Sequence, residues 1–475
     1  MTEKPMLLAP GDARPVHFIG IAGAGMSALA ELLVRRGAAV QGTDANAEGA
    51  PDLGKLGIRV SVPDATLVAN ARAVVYSSAI PSTHPEMAAA RALGVPLIRR
   101  AEALAEAVAG GTLIAIAGTH GKTTTTVMTT EVLAAAGRNP TGVVGGRVAQ
   151  WHGNLRLGGN DVFVVEADEY DRSFLALAPT VAVALNVEAD HLDIYRDLDD
   201  ITRTFEAFVE PSRIVVRCAD DAGAMSLRVS AAHEIMSYSA TAPGTEHAPM
   251  AESARLIARH MVFGVSGIGG TKFDVEFDGE TLGAVELFVP GIHNVRNALA
   301  ALACGLALGC EFDKLVNGLL NFAGVERRFQ RIDRGNSRDI RVIDDYAHHP
   351  TEVAATIAAA RASFPGQRLV VAFQPHLYSR TYDLHREFAG ALAGADVVML
   401  ADIYGAREQP VPGVTSALIG DLLPADTLVF SGPRTDIAAA YLDGVCEPRD
   451  IVITMGAGDI TRSSGELATM LASTT

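Results

Sequence analysis

The stretch Leu113-Ile114-Ala115-Ile116-Ala117-Gly118-Thr119-His120-Gly121-Lys122-Thr123-Thr124 decides how the rest of this chain is read. Five apolar residues make a short buried strand, a glycine-bracketed loop follows, and a helix begins beyond it. The core Gly121-Lys122-Thr123 is that of a P-loop. In such a loop backbone N–H groups wrap phosphates, the lysine neutralises β- and γ-oxygens, and the threonine hydroxyl ligates Mg²⁺. Ile116 stands where the full pattern has its first glycine, so the motif is incomplete at one position. Strand, loop and helix in this order belong to an α/β fold built on a parallel sheet.

Working outward, an NTP site needs carboxylates at a neighbouring strand end. Val164-Val165-Glu166-Ala167-Asp168-Glu169 supplies them after an apolar strand, in the manner of a Walker B element. Asn186-Val187-Glu188-Ala189-Asp190-His191 supplies more after the strand Val181 to Leu185. A lone histidine among acids is ordinarily a surface residue. Following a buried strand beside a P-loop, His191 reads instead as a ligand.

Towards the N-terminus, Val16 to Ile19, Ala38 to Gly42 and Ala73 to Tyr76 read as strands, with Met26 to Arg36 as a helix. Gly23-Ala24-Gly25-Met26-Ser27-Ala28 matches G-x-G-x-x-A at the strand-to-helix turn, with Asp44 about 20 residues on. Glycines there let backbone approach a diphosphate at the positive helix end. The pattern suits a dinucleotide or a nucleotide-sugar diphosphate equally, and a plain tight turn is the bland alternative. Towards the C-terminus, Asn294 to Leu308 reads as a buried helix. Ile340 to Ile343, Arg368 to Phe373, Asp396 to Leu400 and Asp450 to Thr454 read as strands of a further α/β unit. Fresh starts after Ala109-Gly110-Gly111 and near Gly324 divide the chain into 1–108, 109–325 and 326–475. The expected fold class is therefore α/β in three domains: a Rossmann-like N-terminal domain, a central P-loop ATPase domain and a Rossmann-like C-terminal domain.

Composition agrees. At about 150 residues per domain, 475 residues make roughly three. Lys and Arg number 39 against 55 Asp and Glu, a formal net charge of -16, which argues against nucleic acid or anionic lipid as partner. The cysteines Cys218, Cys304, Cys310 and Cys446 form no C-x-x-C pair, so neither a zinc framework nor a disulfide scaffold is expected. No apolar run reaches about 18 residues, and the N-terminal residues carry charges and prolines where a signal peptide needs an apolar stretch. A soluble, cytoplasmic protein without membrane insertion is the expectation.

Read in order, GIAGAGMSALA (20–30), AGTHGKTTTT (117–126), EADEYD (166–171) and NVEADHLD (186–193) resemble the Mur ligase family. GIHNVRNALA (291–300), RRFQ (327–330), DDYAHHPTEV (344–353) and FQPHLYSRT (373–381) extend the resemblance over nearly the whole chain. It is nearest to the branch that joins L-alanine to UDP-N-acetylmuramate. The resemblance implies one domain each for the UDP-sugar, ATP and the amino acid, and a carboxylate activated as an acyl phosphate. It implies that Gly118, Thr119, His120, Gly121, Lys122, Thr123 and Thr124 hold ATP, with Lys122 on the transferring phosphoryl group. Thr123 and Glu166 would hold one Mg²⁺ and His191 a second. Asn294 and Asn297 would lie on the adenine side, Arg328 on a phosphate and Asp345 on the ribose. Tyr346, His348, His376 and Arg380 would form the amino-acid pocket, His348 also counting among the catalytic residues. Gly23, Ala24, Gly25, Met26 and Ser27 would take the UDP-sugar diphosphate, with Ser78 and Arg99 beside them.

Several relatives carry a carbamylated lysine about fifteen residues after the metal histidine. No lysine stands between Lys122 and Lys272, so here Glu206, or nothing, would take that place. Another muropeptide ligase is the alternative within the family. An NAD-dependent dehydrogenase would leave Lys122, Glu166 and His191 unexplained. A non-catalytic nucleotide-binding regulator would need a broken metal or amine site, and no matched position is broken.

Overall fold

Val181–Ala184, Leu369–Phe373 and Val397–Ala401 are apolar throughout and buried at every residue. Strands of this kind belong to parallel sheets covered by helices on both faces. The computed structural model describes residues 7–9, 11–49, 51–190, 194–240, 254–265, 269–333, 335–406, 408–424 and 426–473, and in them such strands build three sheets. The first runs Arg59–Ser61, Val40–Thr43, Val16–Ile19, Ala73–Tyr76, Leu97–Arg99, all parallel. Its order reverses beside Val16–Ile19, which puts a ligand crevice at the glycine loop that follows.

The second sheet has ten strands and is centred on Thr112–Ala117, with Val181–Ala184 and Val162–Glu166 parallel on its two sides. Beyond Val162–Glu166 come Thr141–Val148, parallel, and Gly153–Arg156, antiparallel. Beyond Val181–Ala184 come Ile214–Cys218 and Glu234–Ser239, then Leu256–Val265, Gly270–Phe277 and Glu280–Leu287. The third sheet runs Gln330–Arg331, Arg341–Asp345, Ile451–Met455, Leu369–Phe373, Val397–Ala401, Leu428–Gly432, and only its first pairing is antiparallel. The architecture is the three-part α/β fold expected from the alternation of elements.

Packing divides the chain into two units, 1–259 with 275–283 and 296–322, and 260–274 with 284–295 and 323–475. In the first unit one apolar cluster runs from Phe18, Leu29 and Leu33 to Ala115, Phe163 and Phe205, so the first sheet and the P-loop sheet share a core. Arg36 lies 4.6 Å over the Phe163 ring, and Asn154 Nδ2 donates to the Ala24 carbonyl at 3.0 Å. The P-loop helix, Lys122–Ala135, is lined with buried threonines. Thr126 and Thr130 return their hydroxyls to the carbonyls of Lys122 and Thr126 at 2.8 and 2.7 Å. A Cβ on Gly318 would lie 2.4 Å from Val132 Cα, so helix Phe312–Leu320 meets this helix backbone to backbone. In the second unit helices cover both faces of the third sheet, leaving one core on each side. Among the described residues no helix is long and apolar enough to cross a membrane.

Candidate active site

The P-loop is shaped by two glycines and stapled from the next strand end. Gly121 has φ +82 and Gly118 φ +150, and a Cβ on Gly121 would stand 2.7 Å from Asn297 Oδ1. The His120 N–H donates to Asn186 Oδ1 at 2.7 Å while Asn186 Nδ2 donates to the His120 carbonyl at 3.1 Å. Thr119 Oγ1 accepts the Glu188 N–H at 3.0 Å. Asn297 therefore lies against the loop itself, and its Oδ1 accepts the buried Thr125 hydroxyl at 3.1 Å.

Lys122 Nζ donates to the Gly118 carbonyl at 2.7 Å and to Glu169 Oε1 at 2.9 Å. Burial opposes its charge, but Glu169, Asp168 and Glu166 outweigh burial and hold its pKa above the ordinary value. Burial pushes Glu169 up to about 7 against the pull of Lys122. Thr123 Oγ1 is 3.0 Å from both carboxylate oxygens of Glu166, and the Gly145 N–H donates to Glu166 Oε2 at 2.7 Å. A hydroxyl beside a carboxylate is the hard-oxygen set that Mg²⁺ prefers, so these two residues fit the ion. Thr124, one residue on, is buried at the first turn of the helix. His191 lies outside the described residues. Glu206 accepts three hydrogen bonds from Arg228, at 3.0, 2.9 and 2.7 Å, so both its oxygens are committed there rather than to a metal.

At the first sheet, Gly23 caps helix Ala24–Arg35 without a side-chain bond, which leaves its first N–H groups open to an anion. Both Asp44 oxygens accept backbone N–H groups, from Ala22 and Asn46, each at 2.9 Å. Asp44 thus fixes the glycine loop instead of facing a ribose, which removes the main support for the dehydrogenase reading. A cavity of about 290 Å³ is lined by Gly23, Ala24, Gly25 and Met26 together with Glu166 and Asp168. Ser27 turns its hydroxyl back to the Ala24 carbonyl at 3.0 Å. Ser77 and Arg100 line the cavity. Ser78 is exposed, and Arg99, also exposed, pairs with Asp171. Sequence reasoning passed over Ser77 and Arg100, and placed Asp168 only among the carboxylates of the NTP site.

In the second unit Asp345 is buried and accepts the Phe329 N–H at 2.8 Å and the Ala347 N–H at 2.7 Å. Burial pushes its pKa up to about 6, against Arg328. Arg327 and Arg328 lie 4.8 and 5.2 Å over the Tyr346 ring. His348 Nδ1 is 3.0 Å from the Tyr346 carbonyl and 3.1 Å from Glu352 Oε2, and its ring is edge-on to Tyr346 and His376. His376 stacks on Tyr404 at 5.8 Å. Arg380 is half-buried in the first turn of helix Tyr378–Leu392. Asn294 Nδ2 donates to the Pro290 carbonyl at 2.7 Å. Tyr346, His348 and His376 are thus brought together, and Tyr404 and Glu352 join them. Glu352 was detectable, since His349-Pro350-Thr351-Glu352 carries a glutamate at the capping-box spacing.

A P-loop beside strand-end carboxylates, in one unit with a Rossmann-like sheet that ends in a glycine loop, defines a nucleotide-dependent enzyme of α/β class. Three family models match in order: Mur ligase family, catalytic domain, over residues 15–112; Mur ligase middle domain, over 116–305; and Mur ligase, glutamate ligase domain, over 327–458. The chain belongs to the Mur ligase family. It is 39% identical to the UDP-N-acetylmuramate–L-alanine ligase of Salinibacter ruber, across 99% of this chain and 98% of that one. The enzyme of the same name from Saccharopolyspora erythraea is 44% identical across 95% and 92%. The crystal structure of UDP-N-acetylmuramate–alanine ligase from Thermotoga maritima aligns with a TM-score of 0.80 at 28% identity, covering 97% of this chain and all of that one.

Proposed function

We propose that this chain is an ATP-dependent ligase that joins L-alanine to the carboxylate of UDP-N-acetylmuramate, the first step in building the peptidoglycan stem peptide. The observation that carries this is the single cavity lined both by the glycine loop and by Glu166. A UDP-sugar bound by its diphosphate at Gly23 to Ser27 would extend towards Glu166 and the P-loop, where phosphoryl transfer takes place. Boundaries near 108/109 and 325/326 are proposed for the three domains, and the cytoplasm for its site of action.

A carboxylate is a poor acyl donor at neutral pH, so the carboxylate oxygen first takes the γ-phosphoryl group of ATP, and ADP leaves. Lys122 would leave Glu169 to meet the charge on that group, while the N–H groups from Gly118 to Thr124 hold the other phosphates. Thr123 and Glu166 would hold one Mg²⁺ and His191 a second, and the ions would supply positive charge to the phosphoryl oxygens. The amine of L-alanine then attacks the acyl carbon, a tetrahedral intermediate collapses, and phosphate leaves. That amine must first lose a proton. His348 is suited to take it, because its Nδ1 faces the Tyr346 carbonyl and Glu352, leaving Nε2 as the basic nitrogen. Arg380 would hold the alanine carboxylate, with Tyr346 and His376 beside it. Asp345, Arg328, Asn294 and Asn297 are proposed nucleotide contacts.

Phosphate release with Mg-ATP, UDP-N-acetylmuramate and a panel of amino acids tests the reading. Turnover should require both the sugar nucleotide and L-alanine, and hydroxylamine should trap the acyl phosphate as a hydroxamate. Equal turnover with D-glutamate would refute it.

A further inference from the structure

Three cations of the first unit are held by carboxylates of a single short segment. Glu169 lies 2.9 Å from Lys122 Nζ, Asp168 Oδ2 lies 3.7 Å from Arg100 Nη2, and Asp171 pairs with Arg99 Nη2. Lys122 belongs to the P-loop. Arg99 and Arg100 close strand Leu97–Arg99 and open helix Arg100–Ala107, and Arg100 lines the cavity beside the glycine loop.

We infer that segment 168–171 is a latch whose carboxylates compete with the phosphates of both substrates for these three cations, and so couple binding of the UDP-sugar to binding of the nucleotide. The inference rests on the function proposed above.

The segment moves as one piece because its backbone is tied into a single turn. The Arg172 N–H donates to the Glu169 carbonyl and the Phe174 N–H to the Asp168 carbonyl, each at 3.0 Å. Asp171 and Arg172 both sit at φ 54, in the left-handed region, where an arginine gains nothing from its own side chain. Arg172 is kept there by Thr204 Oγ1 and Asp200 Oδ2, each at 2.9 Å. The turn's backbone is thus anchored at Arg172 and, through the Tyr195 hydroxyl on the Glu169 carbonyl, near its start, while its three carboxylate side chains are held on cations that a phosphate can draw away. A diphosphate that draws Arg99 or Arg100 away from it weakens the hold on the whole turn. Glu169 then leaves Lys122 more readily, and the γ-phosphate meets a freed lysine. By linkage the nucleotide assists the UDP-sugar by the same factor.

The test is calorimetric titration of the full chain with UDP-N-acetylmuramate and with a non-hydrolysable ATP analogue plus Mg²⁺, each alone and each with the other saturating. In the unaltered protein each ligand should tighten the other by at least about fivefold, a usual size for coupling between sites. Asp171→Asn, isosteric, should bind the UDP-sugar more tightly than the parent when no nucleotide is present, with the coupling factor falling towards one. Glu169→Gln should do the same from the nucleotide side, so the result does not hang on one variant. Unchanged coupling in both variants overturns the latch, as does weaker UDP-sugar binding in Asp171→Asn. A parent that binds both ligands without coupling also refutes the latch while sparing the proposed function. A parent that binds no UDP-N-acetylmuramate refutes both.

Discussion

Replacing Gly121 by alanine perturbs the P-loop in two separable ways. At φ +82 an alanine has an unfavourable backbone, costing about 1–2 kcal/mol. Its Cβ would also stand 2.7 Å from Asn297 Oδ1, well inside ordinary contact, so the Asn297 amide has to move. That oxygen accepts the Thr125 hydroxyl, which is fully buried, and leaving such a hydroxyl unsatisfied costs about 1–3 kcal/mol. The sum is about 2–5 kcal/mol, lost from the first unit before any ligand is considered. The single tryptophan, Trp151, belongs to that unit and donates to Glu131 Oε1 at 2.7 Å, so its fluorescence during urea unfolding reads the right part of the chain. With a slope of about 3 kcal/mol/M the midpoint should fall by about 1 M. Gly137→Ala is the control, because Gly137 has φ +78 and nothing within 4 Å of its added Cβ. It should show the backbone cost alone. If the two variants lose the same stability, the contact with Asn297 has no energetic weight and the reasoning is refuted.

Thr123→Val should cut turnover by about 10²–10³, as loss of an aligned electrostatic group does, with UDP-sugar affinity retained; steady-state kinetics and titration check both. The raised pKa of Asp345, about 6, means the folded chain holds that proton more tightly than the unfolded one. Its contribution to stability is full below the ordinary carboxylate range and is lost as pH rises to about 6, so Asp345→Asn should flatten calorimetric stability over that interval. Cys218 and Cys304 are buried with thiols pushed up to about 12, whereas Cys310 and Cys446 are partly exposed. A thiol reagent should therefore label Cys310 and Cys446 in the native protein and reach the other two only on unfolding.

Where the sequence is a short, mainly apolar run, its reading and the structure agree closely. Val16–Ile19 and Ala73–Tyr76 have the expected limits, and Leu369–Phe373 differs by one residue. Thr141–Val148 and Gly153–Arg156 went unseen, because TGVVGGRV interrupts its valines with glycines. Gly142 is there for close approach, since a Cβ on it would meet Thr130 Oγ1 at 2.7 Å. At the site, composition identifies the kinds of group but not which neighbour turns inward. Arg100 rather than Arg99 lines the cavity, Arg99 being paired with Asp171, and Ser77 rather than the exposed Ser78 lines it. Asn297 beside the P-loop could not be read from spacing either. Its contact joins residues 172 apart in the chain.

The threonine helix behind the P-loop has a bearing on how the chain folds. Thr123, Thr124, Thr125, Thr126, Thr129 and Thr130 are poor helix formers, and a helix of this length is marginal alone even with good ones. Lys122–Ala135 must therefore take shape against its packing partners, with helix Phe312–Leu320 closing on it through Gly318. The nucleotide cradle would then be among the last parts of the first unit to form, reached only after chain nearly two hundred residues downstream has been made. On the ribosome a nascent chain that ended before that helix would display its phosphate loop without the scaffold that fixes it, and ATP in the cell would act as a late ligand that secures the finished fold.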